Sequence, residues 1–236
     1  MKKNNKNILL FKTLRIDISI IFFLCILIII SINFWFNKIP EIFEGGSKVG
    51  IILEKICLSY VSAFIFYFLI VHIKAHKDKI NINNYILNKV NFLINGFTIL
   101  NNQLTKESKI NLTGKYPTNE EINLIFRSIN PKSKAPLLLN ILSNDYANWI
   151  QYLEHSRQES SHTIENIFLL MPFLDTKLIT ILTKIEDCTY FRLLPTMSKN
   201  PIANKDLTFL ETTFLEYTKL IKELEEYRDR KLKHYI

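Results

Sequence analysis

The chain has 236 residues, a net charge of +8 and a mean hydropathy of +0.09, a high mean that comes from apolar residues concentrated before Lys74. Five basic residues and no acidic residue lie within residues 1–15, which is typical of a tail beside a membrane; direct nucleic-acid binding is therefore not expected. The three cysteines, Cys25, Cys57 and Cys188, have neither metal-ligand nor disulfide-framework spacing, so buried free thiols are expected.

The first apolar run predicts a transmembrane helix over residues 16–37, after a basic cytoplasmic tail at 1–15. Residues 18–37 carry no charge over 20 positions. A bilayer core of about 30 Å needs about 20 helical residues, so this run is long enough to cross it. Trp35 suits the membrane interface. A cleaved signal peptide is disfavoured, because the run is too long and no small-residue cleavage site follows it.

A short external hairpin loop is predicted at residues 38–50, where Pro40 and two adjacent glycines interrupt the helix. A second transmembrane helix is predicted at 51–73, with a charge-free centre at 56–71. Lysine and arginine are more frequent in the tail and just after the second run than in the loop, which indicates that both termini are cytoplasmic. The chain is thus expected to be a multi-pass membrane protein, with membrane lipid as its surroundings.

Small and aromatic residues share one side of the second span when successive residues are rotated by 100°. The predicted transmembrane packing residues are Ser59, Tyr60, Ala63 and Tyr67. Ser59 and Ala63 form a small-xxx-small pair that lets helices approach closely, either within the hairpin or between copies. Glu54 falls on the opposite side, and with Lys55 it is predicted to be an interfacial charge. The first span shows no polar stripe, so a charged selectivity filter is not expected.

The rest of the chain, residues 74–236, is predicted to be a cytoplasmic helical domain. Apolar residues recur at three and four positions between Tyr85 and Leu100. The other predicted helices are 119–129, opened by a capping box at Thr118 and Glu121, then 144–170, 175–194 and 206–233, with loops at 130–136 and 195–201. The fold class expected is therefore all-α, a two-helix transmembrane hairpin followed by a helical domain.

The last predicted helix has apolar residues at alternating spacings of three and four. These residues are Leu207, Leu210, Phe214, Tyr217, Ile221 and Leu224. About three heptads of this spacing are typical of a coiled coil, so the helix is predicted to mediate homo-oligomerisation.

The sequence contains no phosphate-binding glycine loop and no zinc-protease or serine-hydrolase motif, so no catalytic residue, cofactor or metal site is expected. His72 and His76 are four residues apart and fit a basic collar at the lipid headgroups better than a metal site. His155 and His162, with nearby glutamates, fit a solvated face. Cys188 follows an aspartate but has no histidine near it in sequence. An enzymatic activity is the least favoured function.

The paired spans, the hairpin "IPEIFEGG", the second span "LSYVSAFIFYFLIVHI" and the helical C-terminal part resemble the two-transmembrane effector proteins of bacterial anti-phage systems, including those encoded beside some retrons. The resemblance covers the whole chain loosely and is motif-like over 39–79. It implies a toxin-like effector that a protein or ribonucleoprotein partner holds silent and that damages the inner membrane of an infected cell once released. The alternative is a membrane-anchored scaffold whose spans act only as a tether.

Overall fold

The computed structural model describes residues 14–35 and 45–235, and helices dominate this part of the chain. The chain divides into two compact units, Met1–Asn81 and Ile82–Ile236. The prediction of a mostly helical protein is confirmed. The exception is a two-stranded sheet in the second unit.

The first unit consists of long apolar helices. The helices that begin in it are α1, Ile16–Phe34; α2, Gly46–Phe66; a π-helix, Tyr67–His72; and α3, Ile73–Ser108. The second helix begins at Gly46, earlier than predicted, directly after Gly45, whose left-handed φ of +88° lies outside the helical region. Most of the predicted tail at 1–15 and the first half of the predicted loop at 38–50, with Pro40, lie outside the described residues.

The second unit combines shorter helices with a β-hairpin around one hydrophobic core. Its further elements are α4, Asn119–Ser128; β1, Lys134–Asn140; β2, Asp145–Asn148; α5, Trp149–Phe168; a 3₁₀ turn, Met171–Phe173; α6, Thr176–Asp187; α7, Thr189–Lys199; a second 3₁₀ turn, Thr208–Leu210; α8, Glu211–Arg230; and a third 3₁₀ turn, Leu232–Tyr235.

The β-hairpin replaces the loop predicted at 130–136 and the first residues of the helix predicted from Asn144. Strands β1 and β2 pair antiparallel, with Leu138 opposite Tyr146. Asn144 has a left-handed φ of +52°, which is tolerated by asparagine in a turn and not by a helix. Helix α5 then begins at Trp149, because the side chain of Asn148 accepts from the backbone of Gln151 and the Gln151 side chain accepts in return, each at 2.9 Å.

The helix predicted at 175–194 is broken at Cys188, whose extended backbone with ψ of 152° separates α6 from α7. The loop predicted at 195–201 is correspondingly helical up to Lys199, although Pro195 lies inside α7. Proline removes one helical hydrogen bond. Helix α7 persists because its apolar side buries large side chains in the core, and tertiary packing supplies most of the stability of a short helix.

All six residues predicted to form an oligomerisation stripe are at most 2% exposed and lie in the core of their own chain. In α8, Phe214 lies 5.1 Å from the ring of Phe126 and 5.4 Å from that of Tyr190, and the Tyr190 and Tyr217 rings stack at 5.2 Å. The prediction of an oligomerisation helix is therefore wrong for this stripe. Apolar spacing of three and four serves packing within one chain as well as packing between chains.

The predicted capping box at the start of α4 is confirmed and extended. Thr118 accepts from the backbone of Glu121, and the Glu121 carboxylate accepts from the backbone N–H groups of Thr118 and Thr113, each at 2.7 Å. These two donors lower the pKa of Glu121 from 4.5 to about 2. Glu121 thereby joins the turn before α4 to the helix itself.

We expect the Glu121→Gln variant to be less stable than the unmodified chain, by an amount that depends on pH. The folded pKa of Glu121 lies below its unfolded value, so the carboxylate stabilises the fold above pH 4.5 and loses this contribution as the pH falls towards 2. The difference in melting temperature between the two chains should therefore shrink between these pH values.

Circular dichroism of the purified chain in detergent measures this difference. Glu120→Gln is the matched control, because Glu120 is the exposed neighbour in the same turn. A stability difference that stays constant with pH, or one that Glu120→Gln reproduces, would contradict the role assigned to Glu121.

Candidate membrane interface

Helices α1 and α2 pair through one side of each helix. On α1 the buried and half-buried positions include Ile18, Phe22, Cys25, Ile29 and Ile32, and on α2 they include Glu54, Cys57, Val61 and Phe64. Both sets follow alternating spacings of three and four, which is the pattern of two helices packed side by side. The sequence contains this spacing, but the outward positions are equally apolar, so the packed side of each helix cannot be identified from the sequence.

Specific contacts along the pair set the two helices antiparallel. Phe22, near the start of α1, stacks on Phe64, near the end of α2, with ring centroids 4.2 Å apart. The Tyr60 hydroxyl donates to the backbone carbonyl of Ile18 at 3.1 Å, which gives the phenol a partner in apolar surroundings. Polar atoms on this side are thus satisfied within the unit.

A polar pair joins the end of α1 to the start of α2. The Asn33 side chain donates to Glu54 Oε1 at 2.8 Å and to the carbonyl of Ile29 at 3.0 Å. Glu54 therefore faces α1 and lies away from the exposed Ser59 and Ala63, as predicted, but the side that meets α1 is the side of Glu54. Lys55 is exposed, as an interfacial lysine would be. A carboxylate beside apolar surroundings is costly unless it is hydrogen-bonded, and Asn33 supplies that bond.

The predicted packing residues of α2 divide into two groups. Tyr60 and Tyr67 are half-buried, whereas Ser59 and Ala63 are exposed. Tyr67 begins the π-helix, where the rotation per residue differs from the 100° on which the prediction was based. Ser59 and Ala63 therefore do not pack within the hairpin. Among the described residues of α1, none covers this small-residue pair, so packing within the hairpin, one of the two alternatives left open by the sequence, is not observed there.

The outward surface of both helices is almost entirely apolar. The exposed large side chains include Ile20, Phe23, Leu24, Leu27 and Ile30 on α1, and Ile52, Ile56, Ile65 and Phe66 on α2. Only 11% of the most apolar window of each helix is buried, whereas the core helix of a soluble protein is mostly buried. Both helices are long and apolar enough to cross a membrane.

The histidines considered as candidates do not assemble into a site. His72 is buried and stacks on Phe68 at 5.7 Å, so it does not lie in an open collar. His155 is exposed, and His162 approaches only the exposed Glu165, at 3.8 Å. Among residues 14–35 and 45–235, no three histidine, cysteine or acidic side chains are grouped as metal ligands would be.

The polar middle of α5 is less solvated than its sequence suggests. Glu154 is buried and accepts from Arg157 at 2.8 Å and from Gln158 at 2.9 Å. Ser161 donates to Glu186 of α6 at 2.7 Å. These contacts hold one side of α5 within its own unit, while His155, Glu159 and His162 remain exposed on the other side.

Cys188 has the properties of a structural cysteine. It is buried at the junction of α6 and α7, and burial raises the pKa of its thiol from 9 to about 11. A thiol with this pKa is protonated at neutral pH and is a poor nucleophile, because the thiolate is the reactive form.

Two exposed apolar segments of the second unit were missed at the sequence level. One is the tip of the β-hairpin, residues 138–142, and the other comprises Leu169, Met171 and Phe173 after α5. Apart from Leu169, both lie between the helices and loops that the sequence predicted, and neither has a periodicity that distinguishes surface from core. The candidate site is defined by this geometry alone, since comparison with protein-family models, curated proteins and solved structures finds no match.

Proposed function

We propose that this protein is an integral inner-membrane effector of bacterial anti-phage defence, which oligomerises and permeabilises the membrane when a partner releases it. The observation that carries the proposal is the first unit's surface. Its two helices satisfy their polar groups against each other and turn apolar side chains outward, with Ser59 and Ala63 left uncovered. The resemblance to two-transmembrane effectors supplies the biological setting.

The membrane location rests on the cost of the outward surface in water. Burying one large apolar side chain is worth about 1.5–3 kcal/mol, so the nine exposed side chains named above would cost on the order of 10 kcal/mol or more in water. Lipid removes this cost. In the proposed topology α1 and α2 cross the inner membrane as a hairpin, and the lysines at 74, 77 and 79 place both termini in the cytoplasm.

Self-association is proposed through the uncovered small residues of α2. Helices in lipid gain little from apolar burial, so close approach of backbones at small side chains becomes the main source of association energy. Ser59 and Ala63 provide such a surface, and α1 does not occupy it. Several hairpins joined in this way would form a lesion without a charged filter, which agrees with the absence of a charged stripe on the described part of the spans.

A protein regulator is proposed to bind the second unit at the exposed apolar segment after α5. Leu169 is 80% exposed, and Met171 and Phe173 are about half exposed. Residues 166–176 contain one acidic and no basic residue, so the segment suits a protein surface rather than a nucleic-acid backbone. If the regulator is a ribonucleoprotein, its protein component would make this contact.

The test is the double variant Ser59→Leu with Ala63→Leu. We expect it to insert normally but to form smaller oligomers, with loss of depolarisation and of propidium uptake after induction in bacteria. The added side chains prevent close helix approach. The matched control, Leu58→Phe with Ile65→Phe, adds bulk to two exposed positions on another side of α2 and should leave both measurements unchanged.

Unchanged oligomer size and depolarisation in the Ser59 and Ala63 variant would show that the proposed packing face is wrong. A second arm separates the effector from the scaffold alternative, in which the spans only tether the second unit. Replacement of both spans by an unrelated hairpin should abolish depolarisation for the effector. A scaffold would keep its activity after the exchange.

A further inference from the structure

The tip of the β-hairpin presents large aliphatic side chains to its surroundings. Ile141 is 84% exposed and Leu142 is 98% exposed, and Leu138 and Leu139 beside them are also exposed. Isolated exposed leucines are common, but a run of such residues at a projecting turn usually marks an interaction surface. The tip is defined here as residues 138–142.

Side chains of the turn that carries the tip hydrogen-bond to part of its backbone. The Asn140 side chain accepts from the backbone N–H of Leu142 at 2.9 Å and from that of Ser143 at 3.4 Å, and the Ser143 hydroxyl donates to Asp145 at 2.9 Å. Polar groups that enter an apolar phase must already be paired. The Asn140 side chain meets this condition for the N–H groups of Leu142 and Ser143, beside the exposed Ile141.

The base of the hairpin is anchored, so the tip cannot fold back onto the core without breaking contacts. Ala135 of β1 and Ala147 of β2 are buried, and the backbone N–H of Trp149 donates to the carbonyl of Pro131 at 3.2 Å. The buried Trp149 then starts α5. The hairpin therefore has a fixed base and an apolar end.

From the tip to the base, aliphatic side chains are followed by an aromatic and then by basic side chains, and the exposed polar residues Ser143, Asn144 and Asp145 complete the turn. Tyr146 lies opposite Leu138 and is about half exposed. The Lys134 ammonium lies 5.9 Å from the centre of the Tyr146 ring, and Lys132 is exposed one turn earlier. Aliphatic, then aromatic, then basic is the order in which side chains meet acyl chains, the interface and anionic headgroups. A protein partner would not require that order.

We propose that the tip inserts into the interface of the bilayer in which the chain is anchored, with Tyr146 and Lys134 at the headgroups of anionic lipid. This inference rests on the proposed function for its membrane anchor. A few apolar residues bind lipid weakly on their own. The anchor makes the contact intramolecular, so a weak contact is populated without any new affinity.

The experiment places an environment-sensitive fluorophore on Leu142→Cys in the full chain, reconstituted in phosphatidylcholine vesicles with and without phosphatidylglycerol. We expect a blue-shifted emission, quenching by lipids that carry a nitroxide near the headgroup, and protection from aqueous iodide. Lys199→Cys, at an exposed polar position, is the matched control. Its label should show no blue shift, no quenching by the nitroxide lipids and ready quenching by iodide. Unmutated chain, whose cysteines are buried, measures background labelling.

Removing the two lysines at the base of the hairpin tests the contact with anionic headgroups. Lys132→Gln with Lys134→Gln should reduce nitroxide quenching of the Leu142 label in vesicles that contain phosphatidylglycerol, and should have little effect in phosphatidylcholine alone. A Leu142 label that iodide quenches as readily as the Lys199 label would overturn the proposal. Protection from iodide without nitroxide quenching would also overturn it, because a protein surface and not lipid would then cover the tip.

Leakage of a dye from the same vesicles distinguishes this inference from the proposed function. Nitroxide quenching at Leu142 without leakage supports lipid insertion of the tip and counts against permeabilisation. Leakage without nitroxide quenching supports permeabilisation and overturns insertion of the tip.

Discussion

The Phe214→Ala variant is expected to lose about 3–5 kcal/mol of unfolding free energy, which is the usual cost of removing a buried phenylalanine. Phe214 is 1% exposed, and its ring contacts those of Phe97, Phe126 and Tyr190 at centroid distances between 5.1 and 5.9 Å. Truncation leaves a cavity that these rigid rings cannot fill. Many domains have a total stability of only 5–15 kcal/mol, so the variant should be partly unfolded at growth temperature.

Denaturant unfolding followed by circular dichroism measures the loss, and Thr212→Ala on the exposed side of α8 is the control. Cross-linking in the same samples tests the alternative role of the stripe. If Phe214→Ala changed oligomer size and left stability unchanged, the stripe would act between chains after all, and the intramolecular packing described above would be wrong.

The second large effect is expected from three arginines on the outward side of α1, at Phe23, Leu27 and Ile30. Each arginine at the centre of a span costs about 2.5–3.5 kcal/mol of insertion free energy, whereas each apolar residue contributes about 0.3–0.6 kcal/mol. Three together therefore cost about 8–10 kcal/mol, which exceeds what the remaining apolar residues of α1 supply. The variant should be lost from the membrane fraction.

Extraction of membranes with alkaline carbonate, followed by immunoblotting, measures this loss. The same three positions changed to alanine are the control and should remain inserted. All three side chains are at least half exposed, so a helix in water would accept arginine there at little cost. If the arginine variant stays folded and behaves like the alanine variant, α1 does not cross the membrane.

Local signals predicted the helices best. The capping box at Thr118 and Glu121 was visible because its residues are close in sequence and interact only with their own turn. The β-hairpin was not visible, because its two strands are short and their pairing depends on Ala135 and Ala147 being covered by distant residues. Cys188 ends a helix without any breaker residue, since the change of direction is set by packing of α6 and α7.

The candidate site was predicted only in part, because composition is visible in the sequence and contacts between distant residues are not. The apolar spans were identified from composition, which needs no knowledge of partners. The direction of individual side chains was not, because Glu54 takes its orientation from Asn33, which is 21 residues away in sequence. The stripe on α8 shows the same limit, since a spacing of three and four defines an apolar face and not the molecule that covers it.

The π-helix at Tyr67–His72 changes how α2 is oriented about its axis relative to the lysines at 74, 77 and 79. The N–H of Ile73 bonds to the carbonyl of Phe68, five residues back instead of four. One additional residue in a turn corresponds to about 100° of rotation of an α-helix. The segment therefore fixes the direction of Ser59 and Ala63 relative to the lysines that follow His72. Deleting one residue within it would rotate the exposed apolar surface of Gly46–Phe66 by about 100° relative to those lysines and leave every side chain of that helix unchanged.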